Sequence, residues 1–299
     1  MVSVAGTGID TMASVFSFGM AVLDLVYYLD HLPVGGQKYY TRNHDLIGGG
    51  CAANAAVAIV QLDGTAYLAA RLGDDVFGDL IARDLHRRGV NLKFLKRFPR
   101  CRSSYSSVYI TPLGDRQVVN YRGSFDLDEP PDWIADAPPT DAYLVDTVSM
   151  SGCTTALELA HRHDRPSIVD AERLKTLEPV ALATHLAFSR QGLEELTGLT
   201  SLTEGMRLVR SMTDAWICVT DGANGVYFFE GQAVEQVPAF PLSVVDTLAA
   251  GDVWHGAFAL GIAENLPESD AILLANATAG LKCAQRGGRD IYPDRSTVE

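Results

Sequence analysis

The sequence predicts an α/β fold: a mostly parallel sheet flanked by helices, with a small second layer of β structure. Three observations predict it. Short, continuously apolar segments recur along the chain, helical patterns lie between several of them, and two stretches rich in Tyr, Val, Ser and Thr interrupt the alternation. Strands buried on both faces read as unbroken apolar runs, and parallel neighbours need a crossover, usually helical.

The elements follow in order. "SVFSFGMAV" (14–22) reads as the first strand, preceded by a loose extension. "LDLVYYLDHLPVGGQKYYTRNHDL" (23–46) is the first interruption. "IGGGCAANAAVAIVQL" (47–62) places three glycines before an Ala- and Val-rich helix, with Gly64 as its stop. "TAYLAA" (65–70) is a strand. "DVFGDLIARDLHRRGV" is an amphipathic helix with Val76, Leu80 and Leu85 on one side, Arg87 and Arg88 in its last turn and Gly89 closing it. The second interruption, "CRSSYSSVYITPLGDRQVVNYRGS" (101–124), holds a hairpin signal at Pro112-Leu113-Gly114-Asp115. The Pro-rich "DEPPDWIADAPPTD" (128–141) reads as a surface connection. Strands are then expected at 142–146, 167–171, 185–189 and 215–220. "VTDGANGVYFF" (219–229) reads as a strand, a Gly-rich turn and a second strand. A helix follows the small residues of "VVDTLAAGDVWHGAFALGIAENL" (244–266).

Composition narrows the function. With 299 residues, 47% of them hydrophobic, the chain can bury a large core in one embellished α/β domain or in two. A formal charge of −13 argues against nucleic acid or an anionic membrane as partner, and suggests that any nucleotide arrives as a metal complex. Cys51, Cys101, Cys153, Cys218 and Cys283 are odd in number and contain no CxxC pair, so most of them are expected to be small core residues of a reduced, cytoplasmic protein. No apolar run approaches the roughly 18 residues of a membrane span.

Several common catalytic signatures are absent. There is no Gly-Lys dipeptide and hence no Walker A loop; Gly6-Thr7-Gly8 does not continue into a GxGxxG turn; HExxH and GxSxG are missing. The segment 244–266 offers another chemistry. Ala249-Ala250-Gly251 lets a ligand approach the backbone, and the helix after it presents unpaired N–H groups and a positive dipole end to a phosphate. Asp252 beside them can accept a proton from an attacking hydroxyl. Phosphoryl transfer asks for positioning, charge stabilisation and a weak base. By residue type alone, Asp246 or Asp252 equally suits a helix cap. Gly49 and Gly50 can admit a sugar to the backbone, and Asn54 can bond hydroxyls through donor and acceptor together, although a tight strand–helix turn reads the same way. Asp24, after the first strand, suits sugar hydroxyls or a plain turn. The "VTDGANG" turn can line a nucleotide.

In combination and order, the Asp24 segment, "GGGCAAN", "RLGDDVFG", "VTDGANG" and "DTLAAGD" resemble the ribokinase-like (PfkB-type) carbohydrate kinases. The resemblance covers nearly everything after residue 14. It implies a Rossmann-like α/β domain over 14–299, after an extension at 1–13, with a β-sheet lid from about 23–46 and 101–124 that often makes a homodimer. It implies ATP as donor, Mg2+, in many members a monovalent cation such as K+ near the nucleotide, and a small-molecule sugar as acceptor. Asp252 matches the catalytic base, and Ala249, Ala250 and Gly251 match the anion hole. Asp24, Gly49, Gly50 and Asn54 match sugar contacts; Thr220, Gly222, Gly225 and Asn276 match the nucleotide side. Two departures stand out. Ala249 occupies a position where many members have Gly. In "FSRQGLEELTG" (188–198), Ser189 and Gly192 replace a usual Asn-x-x-Glu element, so metal ligands do not carry over.

"LPVGGQKYYTRNHDLIGGG", "VVNYRGS", "FSRQGLEELTG" and "LKCAQRGGRDIYPD" resemble the branch that phosphorylates 6-deoxy-6-sulfofructose. That implies sulfonate contacts at Lys38 and Asn120, with Arg122 supplying a charge that "DTVSM" does not. The competing readings are a kinase of fructose, ribose, 2-keto-3-deoxygluconate or a nucleoside, and a catalytically weak binding protein on the same fold.

Overall fold

The computed structural model describes residues 12–299, so the expected extension lies almost wholly outside the described residues. In chain order the strands and helices are β1 (Ser14–Phe18), β2 (Val22–Tyr28), β3 (Asn43–Gly49), α1 (Cys51–Gln61), β4 (Thr65–Gly73), α2 (Val76–Arg87), β5 (Leu95–Phe98), β6 (Tyr105–Ile110) and β7 (Arg116–Tyr121). They continue as β8 (Ala142–Asp146), α3 (Met150–Arg162), β9 (Ser167–Asp170), β10 (His185–Ser189), α4 (Arg190–Thr197), α5 (Leu202–Arg210), β11 (Trp216–Thr220), β12 (Val226–Glu230) and β13 (Ala233–Val237). The chain closes with α6 (Ala250–Ala263), α7 (Glu268–Cys283) and α8 (Arg295–Val298).

Nine strands form the main sheet in the order β13-β12-β11-β10-β9-β8-β1-β4-β5. Pairing is parallel from β5 across to β11 and antiparallel at β11–β12 and β12–β13. The apolar runs predicted as strands bury both faces here, as β8 and β9 do at every residue. Two hydrophobic clusters, one against α1 and α6 and one against α3, cover the two sides. Among the described residues no helix is long and apolar enough to cross a membrane.

The second sheet has the order β3-β2-β6-β7 and is built largely from the two Tyr-containing stretches that interrupt the alternation. The segment expected as one strand over 14–22 is divided between the sheets. The chain turns at Gly19, where a Cβ would run into the Asp146 carboxylate, and β2 leaves for the second sheet.

Two further expectations need correction. Val76 is 70% exposed, and Ile81, 1% exposed, takes its place beside Leu85 on the buried side of α2. Asp75 caps this helix by accepting from the Gly78 N–H at 2.8 Å, which leaves Val76 at the first turn beyond the core. The Pro-rich 128–141 segment is anchored rather than superficial: Ile134 is fully buried, and the Trp133 indole N–H donates to the Phe94 carbonyl at 3.0 Å.

Candidate active site

The second sheet roofs a cavity of about 230 Å3 above the C-terminal ends of β8 and β9. Strand alternation explains the roof. Ile47, Asp24, Ser106 and Asn120 lie directly opposite one another across four strands and all line the cavity. Neighbours two residues away, Val22, Ser104, Val108, Val118 and Arg122, line it too. Burial raises the pKa of the Asp24 carboxyl, and the Ser106 hydroxyl and the Arg289 guanidinium partly offset this. A Cβ on Gly49 would meet that carboxylate, which explains the glycine there.

The floor is the start of α6. Ala249 caps the helix in the left-handed region, at φ 60° and ψ 14°. The Ala250 N–H turns back to the Thr247 carbonyl at 3.2 Å, whereas the N–H groups of Ala249, Gly251 and Asp252 make no hydrogen bond among the described residues. A helix start is a place of bare N–H groups and partial positive charge. Ala249 and Asp252 line the cavity beneath the second sheet; Ala250 and Gly251 line a second cavity of about 470 Å3 on the other side. One turn of backbone is the wall between two chambers.

Asp252 is held from α1. The Asn54 Nδ2 donates to Asp252 Oδ2 at 2.7 Å, and the Arg289 Nε donates to Asn54 Oδ1 at 2.9 Å. Arg289, 2% exposed, also donates to the Gly49 carbonyl and to Asp84 Oδ2, both at 2.9 Å. Burial pushes the Asp84 carboxyl up, but the Arg289 and Arg88 guanidiniums outweigh it and hold the group below its ordinary range. A hydrogen-bonded line thus runs Asp84–Arg289–Asn54–Asp252.

Further acids stand where parallel strands end. Asp146 closes β8 and accepts from the Met20 N–H at 2.7 Å and the Val148 N–H at 3.1 Å; burial pushes its carboxyl up to about 6. Asp170 closes β9. Its Oδ1 is buried without a hydrogen-bond partner, and burial reinforced by Glu172 and Asp252 raises its pKa well above the ordinary value. Ligand atoms of Asp170, Asp252 and Cys51 lie within 4.8 Å of one another. His255, one turn along α6 from Asp252, sits with Nδ1 2.8 Å from the Gly251 carbonyl oxygen and Nε2 3.6 Å from Asp170 Oδ1. Burial lowers its pKa.

The second cavity is lined by Thr220, Gly222, Gly225 and Asn276 together with Phe240, Leu242, Val244 and Trp254. Asn276 is fully engaged. Its Oδ1 accepts from the Trp254 indole at 2.8 Å and its Nδ2 donates to the Pro238 carbonyl at 3.2 Å, so it braces the wall. Gly225 has φ 86° and lies against the Val237 carbonyl, leaving no room for a side chain.

Most of the residues singled out in the sequence therefore border these two chambers: Asp24, Gly50, Asn54, Asn120, Arg122, Ala249 and Asp252 the first, and Thr220, Gly222, Gly225, Ala250, Gly251 and Asn276 the second. Gly49 contributes its carbonyl to Arg289 instead of lining the cavity. Lys38 is exposed on the segment between β2 and β3 and lines neither chamber. Asn54 lines the chamber with both ends of its amide also held by protein partners. Arg289, Asp146, Asp170, Glu172, Arg173 and Lys282 were not foreseen. Two of them had a signal, since "AYLVD" and "SIVD" both end in Asp at the sheet edge where open α/β folds bind ligands. At the altered element, Ser189 Oγ is committed to capping α4 through the Gly192 N–H at 3.0 Å.

A mostly parallel sheet, a small roofing sheet and two chambers divided by a helix start are the architecture that the carbohydrate-kinase resemblance implies. Residues 12–295 match the pfkB family of carbohydrate kinases, and the chain belongs to that family. It is 26% identical over 295 residues to the ribokinase of Bacillus subtilis (strain 168), covering 96% of this chain and 99% of that protein. It is similar to a crystal structure from Agrobacterium tumefaciens that carries a provisional ribokinase designation, with TM-score 0.88, 32% identity and 96% of each chain covered. Its fold is also that of Arabidopsis thaliana ribokinase, solved in complex with ribose and ATP, with TM-score 0.85, 22% identity and 96% and 98% of the two chains covered.

Proposed function

We propose that the chain transfers the γ-phosphate of ATP to a hydroxyl of a sugar that carries an anionic group, such as 6-deoxy-6-sulfofructose. The carrying observation is the wall at 249–252, with a carboxylate facing one chamber and bare N–H groups at the boundary. Sugar occupies the chamber under the second sheet, and the nucleotide occupies the more apolar chamber beside α7. Asp252 takes the proton of the sugar hydroxyl as its oxygen bonds to the γ-phosphorus and the bond to the β-phosphate oxygen breaks, releasing ADP. The N–H groups of Ala249, Gly251 and Asp252 stabilise the charge on the transferring group.

The anionic class of sugar is supported by Arg122 and Arg173. Both line the sugar chamber, and neither makes an ion pair among the described residues. Arg173 is held at φ 58° just after β9, an unfavourable conformation for a long side chain. Lys38 is not needed for this reading. Asp170 and Glu172 suit Mg2+, a hard cation that takes oxygen ligands, and the orphaned Asp170 Oδ1 is the strongest sign of such a role. When bound, the ion neutralises ATP phosphate charge. The Cys51 thiol, whose pKa burial raises, is a poor partner for it. The homodimer fits the outer edge strands of the second sheet, where Leu46, Val118 and Val119 are exposed.

The test is ADP release from Mg-ATP with fructose, ribose, 2-keto-3-deoxygluconate and 6-deoxy-6-sulfofructose, using the wild type, Asp252→Asn and Arg122→Ala. The reading requires turnover with an anionic sugar and a loss of about 1,000-fold in kcat for Asp252→Asn. It also requires a KM increase in Arg122→Ala confined to anionic acceptors. Turnover of ribose alone would overturn the substrate class, and binding without turnover would overturn the kinase assignment.

A further inference from the structure

The family resemblance implies that many members use a monovalent cation near the nucleotide. Shortly before the turn at 249–252, Asp246 offers two oxygens of the kind such an ion takes, a backbone carbonyl and a carboxylate. They already have a cation. The Lys282 Nζ donates to the Asp246 carbonyl at 3.0 Å and stands 3.6 Å from Asp246 Oδ2. Lys282 is 1% exposed, a rare condition for a lysine and one that requires a charge partner. Burial lowers the pKa of its amine, and Asp246 opposes that shift.

The surrounding bonds tie this ion pair to the phosphate-facing turn. The Cys283 carbonyl, next to Lys282 at the end of α7, accepts from the N–H groups of Val245 at 2.8 Å and Asp246 at 3.1 Å. Asp246 Oδ1 accepts from the Leu248 N–H at 2.9 Å, and the Thr247 carbonyl accepts from the Ala250 N–H at 3.2 Å. The ammonium is therefore bonded to the Asp246 carbonyl and ion-paired with its carboxylate, and Asp246 with its neighbours fixes the turn that opens α6.

We infer that Lys282 is a built-in monovalent cation, its ammonium taking the position at Asp246 that K+ would otherwise fill. A free ion has an occupancy that varies with its concentration. A tethered ammonium supplies the same unit charge at constant occupancy. The residues around Asp246 accordingly do not suit K+: a second cation there would meet an ammonium in direct contact with the same oxygens. This inference rests on reading 249–252 as the phosphate-facing turn.

The experiment compares KCl with tetramethylammonium chloride at equal ionic strength, reading thermal unfolding of the free protein and ADP affinity by calorimetry. For the wild type, ADP affinity is expected to change less than about twofold, with no K+-specific rise in Tm. Lys282→Met is expected to lose ADP affinity in tetramethylammonium and to recover about tenfold when K+, ammonium or methylamine is added. A K+-specific gain in the wild type overturns the inference, as does a Lys282→Met protein indifferent to small cations. If that variant does not fold, the wild-type comparison still decides. Neither readout requires sugar turnover, so a failed kinase assignment shows up separately as an absence of ADP release.

Discussion

Asn54 restrains Asp252 across 198 residues of sequence, its Nδ2 lying 2.7 Å from one carboxylate oxygen while Arg289 pins the other end of the amide. The amide orientation is dictated by chemistry, because only the NH2 end can face a carboxylate and only the oxygen can face a guanidinium. Asn54→Ala removes this restraint without removing Asp252, the proposed base. We expect kcat to fall about 100-fold while ATP affinity stays level, measured by steady-state kinetics and nucleotide titration. Unchanged kcat would mean that Asp252 needs no orientation from α1.

Arg289 is the most connected charge in the site, bonded to Asp84, Asn54 and Gly49. Without Arg289, Arg88 still pairs with Asp84, but the buried Asn54 amide oxygen and Gly49 carbonyl lose their donor, so Arg289→Met is expected to cost about 3 kcal/mol in urea unfolding. Arg289→Lys keeps the charge but offers a point donor in place of a planar fork, and should recover only part of the loss. Full recovery by lysine would show that charge alone matters there.

The buried Asp146 carboxyl carries a pH signature. In the folded protein its pKa is raised from the ordinary 3.8 to about 6. The unfolded chain therefore releases this proton first, and stability falls as the pH rises from about 4 to about 6, then levels off. The full effect is about 3 kcal/mol. Asp146→Asn abolishes the titration while its oxygen still accepts from a backbone N–H. The stability difference between variant and wild type should move in favour of the variant across that window, as followed by denaturant unfolding at a series of pH values. A constant difference would contradict the raised pKa.

Ala249 holds a left-handed conformation that suits glycine. Relieving it in Ala249→Gly should change stability by no more than about 1 kcal/mol, in the stabilising direction. The N–H is retained, so activity should be retained too. Ala249→Val, branched at Cβ, should lose stability at the same backbone angle. Calorimetric Tm values for the pair decide between backbone strain and simple packing.

Much of this architecture is visible in the linear chain, for a local reason. β8 and β9 are buried on both faces, so their apolar runs are unbroken, and α1 follows its glycines directly. The β1–β2 break is not visible, because "SVFSFGMAV" stays apolar around Gly19, and the close approach that requires glycine there comes from the distant Asp146. Asp252 and its small neighbours are contiguous and therefore legible. Arg289 and Lys282 are not: in "LKCAQRGGRDIYPD" they look like ordinary surface charges, and only tertiary packing buries them. Lys38 shows the converse, a positional match that the backbone leaves in solvent.

The reach of Arg289 also bears on biosynthesis. It joins Gly49 across a sequence separation of 240, and without it Asn54 has nothing to brace its amide oxygen. A nascent chain that has released α1 and α6 but not residue 289 would therefore hold Asp252 through an Asn54 amide that is itself unbraced.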